Sequence, residues 1–210
     1  MDSESKAIKR LTDDKSKVSC HYFIRRNGSI ILMVPDLYEA WHAGKSHWKK
    51  DKSLNKKSIG IEISNKGHQF GYQKFTNKQI KSFIKLSLSL IKKYKINKKN
   101  ILGHSDIAFN RKKDPGEKFP WKYLSEYNIG VWPDINDNIL NKYRKARINR
   151  LEEFEFFKCL EKFGYKANIR KSSSKFLLVK SFQRHFRQKL INGIVDKECL
   201  IIAKKLSNFG

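Results

Sequence analysis

An apolar row of helical period that starts directly behind a capping box constrains this 210-residue chain more than any other feature. Thr76-x-x-Gln79 supplies the box, and Ile80, Phe83, Ile84, Leu88 and Ile91 follow at helical spacing. A helix reaching about Tyr94 must bury that row, and its neighbours read as strands. His21 to Ile24 and Ile30 to Val34 are apolar runs joined across Asn27-Gly28, a dipeptide suited to the positive φ angles of a tight hairpin turn. Ser58-Ile59-Gly60-Ile61-Glu62-Ile63 alternates with period two, which sets Glu62 opposite the isoleucine face. Strands with an intervening amphipathic helix predict an α/β fold, a mixed central sheet flanked by helices.

From roughly Asn141 the pattern turns wholly helical. Leu151, Phe154, Phe157 and Leu160 form one predicted stripe ended by Gly164, and Leu178, Phe182 and Phe186 form a second. Asn192-Gly193 marks a turn, and Asp196 can cap a last helix carrying Leu200, Ala203 and Leu206. The expected organisation is a domain over 1–140 and a small all-helical module over 141–210, which is near the lower limit of independent stability and should lean on its neighbour. Between them, Ala43 to Lys57 reads as an exposed Lys-rich loop, and Gly103 to Pro133 as irregular chain with its strongest turn signal at Asp114-Pro115-Gly116.

An aromatic content of 12% with regular periodicity argues for a globular chain in spite of 31% charged residues. The net charge of +26 would ordinarily suggest a polyanion such as nucleic acid, but Lys accompanies abundant Ile and Asn throughout, the mark of a coding bias. No nucleic-acid partner is expected. No stretch is long and apolar enough to cross a membrane, and Met1 to Arg10 lacks a signal peptide's apolar core, so cytoplasm and cell envelope both stay open as compartments. Cys20, Cys159 and Cys199 are odd in number and widely spaced, as reduced packing residues are.

The chemistry-bearing residues stand out modestly. His104 precedes Asp114 by ten positions, Lys112 lies between them, and Glu62 sits on a strand. Imidazole nitrogen and carboxylate oxygen both suit zinc, which in catalytic sites takes three protein ligands and keeps one position open. A histidine beside a loop is also often only a hydrogen-bonded structural residue. His42, in Ala40-Trp41-His42-Ala43-Gly44, reads equally well as a packed turn or as a ligand-facing residue. His21 and Cys20 are strand neighbours that point to opposite faces, which argues against a Cys-His catalytic pair, and His47 and His68 sit among polar residues.

Five motifs occur in order: Val18-Ser19-Cys20-His21-Tyr22-Phe23, Ala40-Trp41-His42-Ala43-Gly44, Ser58-Ile59-Gly60-Ile61-Glu62, Gly103-His104-Ser105-Asp106-Ile107-Ala108 and Arg111-Lys112-Lys113-Asp114-Pro115-Gly116. With Phe119-Pro120-Trp121, Gly130-Val131-Trp132-Pro133-Asp134 and a tail through Val179-Lys180-Ser181-Phe182-Gln183-Arg184-His185-Phe186, the chain resembles the zinc-dependent N-acetylmuramoyl-L-alanine amidases with a helical peptidoglycan-binding module. The resemblance implies hydrolysis of the bond between the lactyl group of N-acetylmuramic acid and L-alanine, in intact wall or in muropeptides. It places His104 and Asp114 on two of three zinc ligands and Glu62 on the carboxylate that accepts a proton from the attacking water. Lys112 falls on the cation that supports the oxyanion, and Trp41 and His42 on the substrate groove. The family's remaining ligand is the histidine of a His-Tyr-Thr strand, expected before a helix that Ser3 to Leu11 matches here. Expected explanations are a start assigned to an internal methionine, a gene remnant that binds wall without cutting it, or recruitment of His21 as substitute ligand.

Overall fold

In chain order the computed structural model, which describes residues 3–167 and 171–209, contains α1 (Glu4–Leu11), β1 (Tyr22–Ile24), β2 (Ile30–Leu32), β3 (His47–Trp48), β4 (Asp51–Lys52), β5 (Ile61–Ile63), α2 (Asn77–Tyr94), α3 (His104–Ile107), α4 (Trp121–Ser125), α5 (Asp137–Tyr143), α6 (Arg150–Phe163), α7 (Ser172–Phe186) and α8 (Lys197–Ser207). The chain forms two compact units. One comprises Met1–Ser46 with Lys52–Asn97, the other His47–Asp51 with Lys98–Gly210.

The first unit is built on a sheet of order β2-β1-β5. β1 pairs antiparallel with β2 through Phe23 and Ile31, and parallel with β5 through Phe23 and Glu62, so the sheet is mixed as expected. The hairpin forms where predicted, but of its turn dipeptide only Gly28 takes a positive φ, of 88°. Asn27 instead turns its side-chain oxygen to the Ser29 N–H at 2.9 Å, which closes the loop without left-handed backbone. Glycine is also required sterically at 28, since a Cβ there would lie 2.8 Å from the Lys78 carbonyl oxygen. The capping box forms with both reciprocal bonds, and α2 ends at Tyr94. Its buried face is Gln79, Ile80, Phe83, Ser87 and Leu90, turned from the predicted stripe, and Leu88 is 42% exposed. Burying Gln79 is tolerated because its amide donates to the Ser64 carbonyl at 2.8 Å.

The second unit is helical around an aromatic core. Phe156, Phe163, Phe182 and Phe186 lie in edge or tilted ring contacts at centroid distances of 5.2–5.8 Å. The stripe of α7 is the predicted one, and so are the buried Leu200, Ala203 and Leu206 of α8. On α6 the prediction needs correcting: Leu151 and Phe154 are 80% and 70% exposed, and the buried row is Phe156, Phe157, Leu160 and Phe163. Four apolar positions per two turns offered two overlapping stripes, and packing against α8 selected the later one. A boundary at 140 falls inside this unit, because α3 packs on α7 and α5 on α8. The Lys-rich segment is likewise not wholly exposed: Trp48 is buried at centroid distances of 5.6 and 5.1 Å from Phe163 and Tyr165, and His47 is half-buried. Gly164, with φ of 142°, makes room, since a Cβ there would come within 2.7 Å of the Trp48 ring. All three cysteines are unpaired, and burial pushes the Cys20 and Cys199 thiols up to about 12, as inert packing residues require.

In the first unit one carboxylate ties a loop to sheet and helix. Asp36 accepts from Tyr22 Oη at 2.5 Å, Tyr94 Oη at 2.7 Å and Lys93 Nζ at 3.0 Å. Desolvation alone would raise its pKa, and these three donors more than offset that, leaving it below the ordinary carboxylate value. A depressed native pKa contributes stability that is complete above the unfolded value near 4 and is lost as pH falls through the native value. Asp36→Asn is therefore expected to cost about 1–3 kcal/mol in urea denaturation at pH 7. Its difference from wild type should shrink below about pH 3.

Candidate active site

The Gly103–Gly116 segment is irregular because it carries side chains inward from a short helix, and backbone bonds hold it closed. The Ser105 N–H donates to the Asp114 carbonyl at 2.8 Å, which brings the two candidate ligand residues to one place. Glycine is needed at 103, where a Cβ would meet Pro115 Cδ at 2.7 Å. His104 Nδ1 lies 3.0 Å from Asp114 Oδ2, with the imidazole side chain 14% exposed and the carboxylate 53% exposed. Desolvation raises the Asp114 pKa, while the His104 hydrogen bond and the charges of His104 and Lys112 lower it further, to about 2. Arg111 reaches the other ring nitrogen of His104 at 3.4 Å. The predicted trio of His104, Lys112 and Asp114 thus forms one electrostatic cluster.

Glu62, Trp41 and His42 belong to the first unit. Glu62 is held on β5 opposite Phe23 of β1, half-buried. The Trp41 backbone is fixed by its N–H donating to Ser19 Oγ at 2.8 Å, while its indole is 45% exposed and Lys17 Nζ lies 5.4 Å from the ring centroid. His42 lies over Gly60, where a Cβ would stand 2.2 Å from its ring, and its Nε2 is 3.2 Å from the Ser58 carbonyl. The packed-turn reading of His42 therefore has a physical basis beside the ligand-facing one. His21 is 1% exposed, and both its ring nitrogens are engaged by backbone: Nδ1 accepts from the Gly60 N–H at 3.0 Å and Nε2 faces the Tyr38 carbonyl at 3.0 Å. That leaves it no free lone pair with which to act as a recruited metal ligand.

Sequence reading missed the residues that hold the His104 segment from behind. Asp106 is 1% exposed and accepts from the Gly103 N–H at 2.7 Å, Tyr165 Oη at 2.6 Å and His185 Nδ1 at 2.8 Å. The His185 ring is stacked on Trp121 at 4.0 Å and 16°. Ser181 Oγ completes the clamp by donating to the Ser105 carbonyl at 2.7 Å. A polar residue inside an apolar helical stripe, as Ser181 and His185 are beside Leu178 and Phe182, was the available signal.

The donor set fits a zinc ion in kind. One nitrogen and one oxygen donor stand 3.0 Å apart, against roughly 3.3 Å between two ligands of a tetrahedral zinc. The carboxylate is already ionised, as ligation requires. Among the described residues no group of three His, Cys, Asp or Glu side chains could hold a metal.

Residues 1–117 match the family described as N-acetylmuramoyl-L-alanine amidase. The Escherichia coli N-acetylmuramoyl-L-alanine amidase AmiD is 35% identical over 98% of this chain and 78% of its own length. The Haemophilus influenzae 1,6-anhydro-N-acetylmuramyl-L-alanine amidase AmpD is 41% identical over 52% of this chain and 58% of its own. Among solved structures, E. coli AmiD in complex with the substrate anhydro-N-acetylmuramic acid-L-Ala-D-gamma-Glu-L-Lys superposes with a TM-score of 0.86, 34% identity, and coverage of 99% of this chain and 85% of that one. AmpDH3 from Pseudomonas aeruginosa gives a TM-score of 0.85 at 30% identity, covering 99% and 87%.

The clamp on Asp106 makes a stability prediction. Tyr165→Phe removes one donor to a buried carboxylate and is expected to cost about 1.5–3 kcal/mol in chemical denaturation of the full chain. His185→Ala, which adds a cavity beside Trp121, should cost more, about 3–5 kcal/mol.

Proposed function

The chain belongs to the N-acetylmuramoyl-L-alanine amidase family, and from that membership we propose that it hydrolyses the amide between the lactyl group of N-acetylmuramic acid and L-alanine, in peptidoglycan or its muropeptides, with zinc as cofactor. The observation that carries the cofactor reading is the His104–Asp114 pair, two suitable donors in contact with the carboxylate held ionised. In this reading both are zinc ligands. When bound, zinc supplies a Lewis acid that polarises the scissile carbonyl and brings the pKa of water to about 7. In this reading Glu62 takes the proton of the attacking water as its oxygen bonds to the carbonyl carbon, then passes that proton to the L-alanine nitrogen, so that the C–N bond breaks and a neutral amine departs. Lys112 places a cation for the negative charge that develops on the carbonyl oxygen. In this reading Trp41 offers an exposed aromatic face to the substrate, with His42 next to it in sequence as a second contact. The γ-linked glutamate of the ligand bound by AmiD keeps a free α-carboxylate, so substrates of this kind are anionic.

A second reading, peptidoglycan binding without turnover, is favoured by one observation: among the described residues no third metal donor joins His104 and Asp114. Mass spectrometry of soluble anhydro-N-acetylmuramic acid-L-Ala-D-γ-Glu-L-Lys incubated with the zinc-supplemented chain separates the two. Release of the free tripeptide is expected; binding with no release would select the non-catalytic reading.

His104→Ala and Asp114→Ala are expected to abolish both zinc retention after gel filtration and tripeptide release. Glu62→Ala should keep zinc affinity near wild type while lowering kcat by roughly 10²–10⁴-fold. A Glu62→Ala chain that cuts at the wild-type rate would remove that residue from the reaction.

A further inference from the structure

The chain's positive charge is not evenly laid out. Residues 63–105 carry ten lysines and not one aspartate or glutamate, although the whole chain holds 20 acidic residues. A coding bias toward lysine raises lysine everywhere but gives no reason for carboxylates to vanish from 43 consecutive positions. The span contains α2, and there the charge is organised. At about 100° per residue, Lys78, Lys81, Lys85 and Lys92 fall within an arc of roughly 60°, in a row about 21 Å long. All four are exposed, on the side of the helix away from buried Ile80, Phe83 and Leu90. Their neighbour Lys93 is the one that pairs with Asp36, and none of the four joins an ion pair with a described residue.

Such a row works against the helix that bears it. Like charges three and four positions apart repel. The first turn of α2 holds Lys78 and no acidic residue, where the helix dipole favours a carboxylate. On α6, by contrast, Lys158 and Lys162 are interleaved with Glu152, Glu153, Glu155 and Glu161.

We propose that the lysine row Lys78-Lys81-Lys85-Lys92 on the outer face of α2 is an electrostatic docking surface for the free carboxylates of the peptidoglycan stem peptides, one that holds the enzyme on the insoluble wall. This rests on the amidase reading for the identity of the polymer. The chemistry of the row selects that partner over other polyanions. Nucleic-acid sites that read sequence or hold single strands add arginine forks and aromatic stacking platforms to their phosphate contacts, and the row contains neither. A lipid surface calls for several apolar side chains to insert among the cations, and only Leu88 stands beside these. Lysine alone is a point charge without directional demand. It suits carboxylates scattered on flexible peptides.

The test is cosedimentation of the full chain with purified sacculi at low and at physiological ionic strength, with soluble muropeptide turnover measured in parallel. K78Q/K81Q/K85Q/K92Q replaces exposed lysines by another good helix former. K9Q/K15Q/K158Q/K162Q removes the same charge from segments that carry acids. The expected result is roughly a tenfold or greater loss of sacculus affinity at low salt for the α2 variant and less than about twofold for the control. Both should match wild type in kcat/KM on the soluble substrate. Equal loss in the two variants would reduce the effect to bulk charge and overturn the docking surface, and so would unchanged binding of the α2 variant. Tighter, row-dependent binding of duplex DNA than of sacculi would also overturn it, in favour of a nucleic acid. Sacculus binding decides this proposal whatever the soluble assay shows, while soluble turnover decides the amidase reading.

Discussion

A buried carboxylate organises the segment that carries His104 and Asp114. Asp106 is removed from water, a condition that costs several kcal/mol unless strong donors surround the charge. Its three donors come from three places: the Gly103 backbone, Tyr165 beyond α6 and His185 on α7. Satisfying Asp106 therefore fixes the turn before His104 and couples it to two helical elements at once. His104 is two residues away and inherits that order. With the Ser105 N–H on the Asp114 carbonyl and the Ser105 carbonyl on Ser181, the short stretch from Gly103 to Asp114 has little freedom left. A metal ligand is useful only when its direction is set by a surrounding layer of contacts.

This coupling also explains why the helical tail is not a separate appendage. The helices of residues 141–210 bury an aromatic core of their own, yet Tyr165, Ser181 and His185 spend their polar atoms on residues 105 and 106. Trp48 packs on Phe163 and Tyr165 from the other end of the sequence. Loss of α7 would take His185 from Asp106 and Ser181 from the Ser105 carbonyl.

What could be read from the sequence was local or motif-borne. The capping box at Thr76, the Asn27-Gly28 hairpin and the Asp196 cap depend on residues within a few positions of one another, and each forms where expected. His104, Lys112 and Asp114 were legible because their motifs are contiguous, and the structure brings them into one cluster. The Asp106 clamp was not legible, since its partners lie 59 and 79 residues away and periodicity says nothing of such pairs. For the same reason Leu151 and Phe154 were misplaced: which of two overlapping stripes is buried depends on α8, not on α6 alone. The row of lysines on α2 was visible as letters but became a surface only once its buried side was known.

The direct measurement is hydrogen exchange of the Gly103 and Ser105 amides in the full chain, compared with the Phe182 amide in the centre of α7. Both loop amides are bonded, to Asp106 Oδ2 and to the Asp114 carbonyl. If the Asp106 clamp holds the His104 segment, they should exchange as slowly as Phe182, opening only with the helices themselves. Rapid exchange at Gly103 and Ser105 while Phe182 stays protected would show a segment that moves independently of α7, and would contradict the account.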